Sequence, residues 1–156
     1  MSAIIVDSAL TVRRLSIQEL QAIPEELFDV QPAGFNNTIR WNAGHLVYWM
    51  DAYRSLCFSA ESLIPPSYAS FFNSGTRPAD WTGTPPAKEE LMERMSRQLA
   101  AIAEIDPDSL ARPLPSPLQF GPLDFRLAGE LFSFGLLHEA MHLATCGCLA
   151  KAARRA

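Results

Sequence analysis

At 156 residues, 48% apolar and 19% charged, the chain is long enough for one domain with a substantial core and too short for two comfortable ones. Its net charge of -4 and pI near 5.3 leave no electrostatic footprint for nucleic acid. No uncharged apolar stretch approaches the length of a membrane span, and Met1 to Asp7 meets an acid before any cleavage-like site, so neither insertion nor export is expected.

Cys57, Cys146 and Cys148 are odd in number and lack CxxC spacing, which fits a reducing cytoplasm better than a disulfide framework. Without export, the sequon Asn36-Asn37-Thr38 carries no message. Lys151, Arg154 and Arg155 suit the C-terminus of a last helix.

In chain order, Ile5, Val6, Leu10, Ile17 and Leu20 recur at helical spacing and predict a first helix over 4–22. Leu15 to Leu20 also reads as a capping box with its staple, which would split that element at Ile17. Pro24-Glu25-Glu26-Leu27 predicts one short extra turn. Pro32 and Gly34 mark a turn, after which Asn36 and Asn37 offer caps for a second helix to about Ala60. On that helix Trp41, His45, Tyr48, Ala52 and Leu56 share a stripe, which turns His45 inward.

Residues 61–85 carry four prolines and two glycines without a sustained period, a long connection of the kind that forms a lid or a crossover. Extended, it spans up to about 80 Å, whereas a 20-residue helix is about 30 Å long. It can therefore return along the whole molecule and let the second and third helices run parallel. Tyr68, Phe71, Phe72 and Trp81 predict that it packs down. Thr84 to Glu90 is a helix start, continued by Leu91, Met95, Leu99 and Ile102 to about Ile105. Five prolines over 106–122 forbid a regular helix, and no alternating strand pattern stands out. The last helix, 127–150, has an inner stripe of Leu127, Leu131, Gly135, His138, His142, Thr145 and Leu149, with Gly135 leaving room before the first histidine. Four helices and no repeat predict an all-α four-helix bundle occupying 1–156 as one domain, an architecture that builds metal sites from facing helices.

His138 and His142, four apart, lie on one face of the last helix, and His45 is the only other histidine. If the second and last helices pack side by side, three neutral imidazoles can share a divalent ion and leave positions open for water or substrate. A satisfied core histidine at 45 and a coincidental pair at 138 and 142 is the competing reading. His138-Glu139-Ala140-Met141-His142 also matches HExxH, but no His, Asp or Glu follows His142, and Thr145 and Cys148 occupy the metzincin Gly and His positions, so a protease is rejected. Glu139 then either orients water or substrate or faces solvent. Cys146, one turn beyond His142, is read as packing in preference to a ligand or redox thiol, and Tyr48 as a core tyrosine or a partner to a bound group.

Trp41-Asn42-Ala43-Gly44-His45-Leu46, the proline-rich middle and His138-Glu139-Ala140-Met141-His142 resemble the DinB/YfiT-like superfamily of metal-dependent bundles over nearly the whole chain. The family's Trp-x-x-x-His-Leu histidine falls on His45 and its C-terminal pair on His138 and His142. Its usual Arg-Gly-Gln continuation is replaced by Leu143, Ala144 and Thr145. The resemblance implies an up-down-down-up bundle with a long crossover between helices 2 and 3, often a homodimer, binding nickel, zinc or a similar divalent ion. It also implies a transferase using a low-molecular-weight thiol, an isomerase, or a protein of no known reaction. A cytoplasmic enzyme of thiol-transferase or hydrolase type, acting on a small electrophilic molecule, is the leading expectation. A metal-binding or stress-related protein without turnover and a helical dimerisation module are its competitors.

Overall fold

The computed structural model describes residues 2–155. In order come α1 (Ser2–Ala22), a 3-10 turn (Glu25–Leu27), α2 (Ile39–Phe58), a short α3 (Tyr68–Phe72), a 3-10 turn (Pro78–Asp80), α4 (Lys88–Ala103), a 3-10 turn (Pro107–Ala111), strands β1 (Pro113–Phe120) and β2 (Leu123–Leu127), and α5 (Ala128–Ala153). The four long helices form an all-α bundle in which α1 and α2 each pack against both α4 and α5.

Two apolar clusters divide the bundle along its length. One gathers Leu20, Ile39, Trp41, Leu91, Met95, Cys146 and Leu149; the other gathers Val6, Met50, Tyr53, Ile102, Leu131 and Phe132. The first joins the ends of α1 and α5 to the beginnings of α2 and α4, and the second joins the opposite ends. Residues 59–87 accordingly return along the bundle, with α3 and Trp81 packed onto it as their aromatic content requires. Between the clusters lies a polar waist, where Arg13, Ser16, Gln98 and Glu139 are all buried.

Several boundaries differ from the sequence reading. α1 is one uninterrupted helix: Ser16 does not cap a new one, because its hydroxyl is engaged by Val12 O and Glu139 in mid-helix. The cap of α2 is Thr38, whose Oγ1 accepts the Trp41 N–H at 3.2 Å, and not Asn36 or Asn37. Leu127 closes β2 ahead of α5 and is 38% exposed, so it is not on the inner stripe. In its place Glu130 Oε2 accepts the N–H groups of Arg126 and Leu127 at 2.8 and 3.0 Å and holds the helix start.

The largest difference is the antiparallel hairpin within 113–127. Prolines at 113, 115 and 117 are compatible with it because the sheet has two strands, so each strand has a free edge, and the register is irregular between Pro113 and Leu118. Gly121, at φ +57°, supplies the turn. Leu114 and Phe125 point into the core, and the hairpin leans on α2 and α5.

Candidate metal centre

α2 and α5 pack side by side, and this brings His45, His138 and His142 together: one ring nitrogen from each lies within 4.8 Å of the others. Ring centroids are 5.1 Å apart for His45 and His138, 4.5 Å for His45 and His142, and 4.6 Å for His138 and His142.

Hydrogen bonds decide which nitrogens are free. His45 Nδ1 lies 2.7 Å from Phe72 O. A carbonyl only accepts, so Nδ1 carries the proton and Nε2 presents its lone pair, 3.2 Å from His138 Nε2. The Asn42 amide nitrogen donates to Thr38 O at 2.8 Å, which turns Asn42 Oδ1 to His142 Nδ1, also at 2.8 Å. His142 Nδ1 must therefore donate, which leaves its Nε2 bare. Fixing the outer nitrogen in this way orients an imidazole and raises its basicity as a ligand.

All three rings are held neutral. Burial lowers His45 to about 3, against the upward pull of its bond to Phe72, with His142 and His138 adding repulsion. Burial and His142 lower His138 to about 4, and burial lowers His142. Neutral imidazole is the ligating form.

The surrounding wall is aromatic. Trp41 stacks on His45 with centroids 4.4 Å apart and planes 20° from parallel, and its Nε1 donates to Thr76 Oγ1 at 2.9 Å, tying the segment after α3 to the site. Trp49 stands 6.1 Å from His45 and 6.0 Å from His138, and Tyr53 meets His138 edge-on at 6.0 Å. Two glycines permit these approaches. A Cβ on Gly135 would lie 2.7 Å from the Tyr53 ring, and one on Gly44 would overlap the Phe72 ring, displacing the residue whose carbonyl holds His45.

The remaining expected residues fall elsewhere. Tyr48 is half-buried and its ring meets Trp49 edge-on at 5.8 Å, one aromatic removed from the imidazoles, so Tyr53 is the tyrosine packed against a histidine. Glu139 does not face solvent. It is 2% exposed and turned to α1, where Ser16 Oγ donates to its Oε1 at 2.7 Å and Arg13 Nη2 sits 3.0 Å from its Oε2. Cys146 is fully buried in the first cluster, and burial raises its thiol to about 12, which suits packing and not a thiolate. Tyr53 was not singled out by the sequence; Asn42 and Gly44 were named there only within the Trp41–Leu46 motif and Phe72 only as a packing aromatic, without their roles at the imidazoles. For Asn42 the signal was available, one turn before His45 and on its face; an anonymous backbone carbonyl such as that of Phe72 leaves none.

Three neutral nitrogen donors, two with locked tautomers, fit a borderline divalent ion such as zinc or nickel better than a hard one, and the set leaves positions for further ligands. A mostly helical bundle carrying three histidines on two facing helices defines a class of metal-binding bundles. Residues 10–146 match the sequence model of the DinB superfamily, and the chain belongs to that superfamily. No curated protein matches it. Among the described residues no helix is long and apolar enough to cross a membrane.

Proposed function

We propose that the chain, acting as one DinB-like domain, is a cytoplasmic metal-dependent enzyme in which His45, His138 and His142 hold one nickel or zinc ion. It would act on a small electrophilic substrate as a thiol-dependent transferase or a hydrolase. The observation that carries this reading is the convergence of the three imidazoles with the outer nitrogens of His45 and His142 already engaged.

A bound divalent ion supplies Lewis acidity and lowers the pKa of a coordinated water or low-molecular-weight thiol towards neutrality. The chain's own residues do the rest. Phe72 O and Asn42 hold two rings in the ligating tautomer, while Trp41, Trp49 and Tyr53 exclude water on the inner side. Glu139 is assigned no proton transfer, since its oxygens are engaged by α1. Tyr48, half-buried beside Trp49, is the nearer candidate for contact with substrate.

A homodimer is part of the proposal. Its support is the outer face of α1 and α5, where Leu15, Leu137 and Met141 are 48%, 65% and 58% exposed beside a groove of about 620 Å³. Between Glu130 and Lys151, the only acidic or basic residue of α5 other than its histidines is the buried Glu139.

Metal analysis of untagged protein tests the site: close to one nickel or zinc per chain is expected, and none in His138→Ala. Screening the metal form against electrophiles with glutathione, mycothiol or bacillithiol tests the chemistry. Turnover no greater than that of His45→Ala leaves a metal-binding or stress-related protein without activity. Metal-free wild type leaves a helical module in which the histidines are only packed.

A further inference from the structure

Arg13, Ser16, Gln98 and Glu139 are each 2% exposed or less, yet none is a hydrogen-bond partner of the imidazoles. Arg13 Nη2 lies 3.0 Å from Glu139 Oε2 and donates to Leu46 O at 3.5 Å. Ser16 Oγ donates to Glu139 Oε1, and Gln98 Nε2 donates to Val47 O at 2.8 Å. One residue of α1 therefore grips both α2 and α5, and one residue of α4 grips α2. The points gripped directly follow the histidines in the chain: Leu46 and Val47 after His45, and Glu139 after His138.

As adhesive, such a layer is poor. Desolvating a guanidinium and a carboxylate offsets much of their attraction, and apolar side chains of similar volume often hold a core as well or better. Among the described residues, Arg13 Nε and Nη1, Gln98 Oε1 and Glu139 Oε2 also have no hydrogen-bond partner, the last meeting Arg13 only as an ion pair. What apolar packing does not provide is register, because it tolerates slippage. A guanidinium placed between one carboxylate and one carbonyl has a single seat.

We propose that Arg13, Glu139, Ser16 and Gln98 form a positioning network that sets the register of α2 against α5 at which the three imidazoles converge. The two helices without a histidine would thus determine the shape of the metal centre. Its functional consequence rests on the metal reading above, but the register itself can be observed without metal.

The test is the double variant Arg13→Met with Glu139→Leu, which removes both charges together. It is expected to fold with a Tm at or above that of wild type. In metal-free crystals its His45 Nε2 to His138 Nε2 separation should open beyond the 3.2 Å of the native arrangement. Nickel affinity, by competition titration, should fall about 10- to 100-fold, as for other supports of ligand geometry. The paramagnetic resonance spectrum of a bound copper(II) probe should change with it. An unchanged separation, affinity and spectrum would overturn the proposal. If wild type takes up no metal, the metal reading fails while the imidazole separation still decides the register claim. Should the double variant not fold, Arg13→Met with Glu139→Gln, which also removes both charges together, takes its place; unchanged imidazole geometry and nickel affinity there overturn the proposal equally.

Discussion

Asn42 Oδ1 lies 2.8 Å from His142 Nδ1, and the other end of the same amide is tied to Thr38 O. A residue on α2 thereby selects the tautomer of a histidine on α5. Asn42→Leu removes that choice without adding charge. Nickel or zinc affinity should drop about 10- to 100-fold by calorimetric titration, with little change in the circular dichroism spectrum.

Thr38 separates capping from positioning. Thr38→Ala deletes the Oγ1 that accepts the Trp41 N–H but keeps the backbone carbonyl that orients Asn42. Stability should fall by about 1 kcal/mol in urea unfolding. Metal affinity should stay within about twofold of wild type, since the arrangement that fixes the ligand tautomer is intact.

Gly44→Ala acts through a neighbour. Its methyl group would overlap the Phe72 ring, so α3 must shift and take with it the carbonyl that holds His45 Nδ1. Overpacking of this kind costs about 1–3 kcal/mol. Urea midpoints and metal titrations should both deteriorate, in contrast to Thr38→Ala, where only the first moves.

The acid response of the metal-free protein follows from the neutral imidazoles. His45 titrates near 3 and His138 near 4 when folded, whereas an unfolded histidine titrates near 6.5. The unfolded chain binds protons first, so the stability present above about pH 6.5 is lost as the pH falls towards 4 and then 3. Thermal unfolding between pH 7.5 and 4.5 should show a falling Tm, and the fall should be shallower for His45→Asn. Equal slopes would mean that carboxylates elsewhere account for the whole trend.

Much of the bundle was legible in the sequence. Ile39 to Phe58 and Ala128 to Ala153 were visible through the stripes that carry His45 and the pair at 138 and 142, because a helix's own period places those residues on one face. The hairpin was not. Prolines at 113, 115 and 117 and the irregular register between Pro113 and Leu118 break the alternation that would betray a strand, and it is the free edge of each strand that tolerates so many missing donors.

Local chemistry along the chain determined the four long helices, the proline-bounded connections and the i, i+4 spacing of His138 and His142, since each depends on residues within a few positions of one another. Tertiary structure alone decided that Glu139 answers Arg13 instead of solvent, that Phe72 O and Asn42 set the imidazole tautomers, and that Tyr53 and not Tyr48 stands against His138. Those contacts join segments from 27 to more than 100 residues apart, and no periodicity reports on them. They exist only where packed helices bring particular polar atoms within reach and burial leaves those atoms no water to turn to.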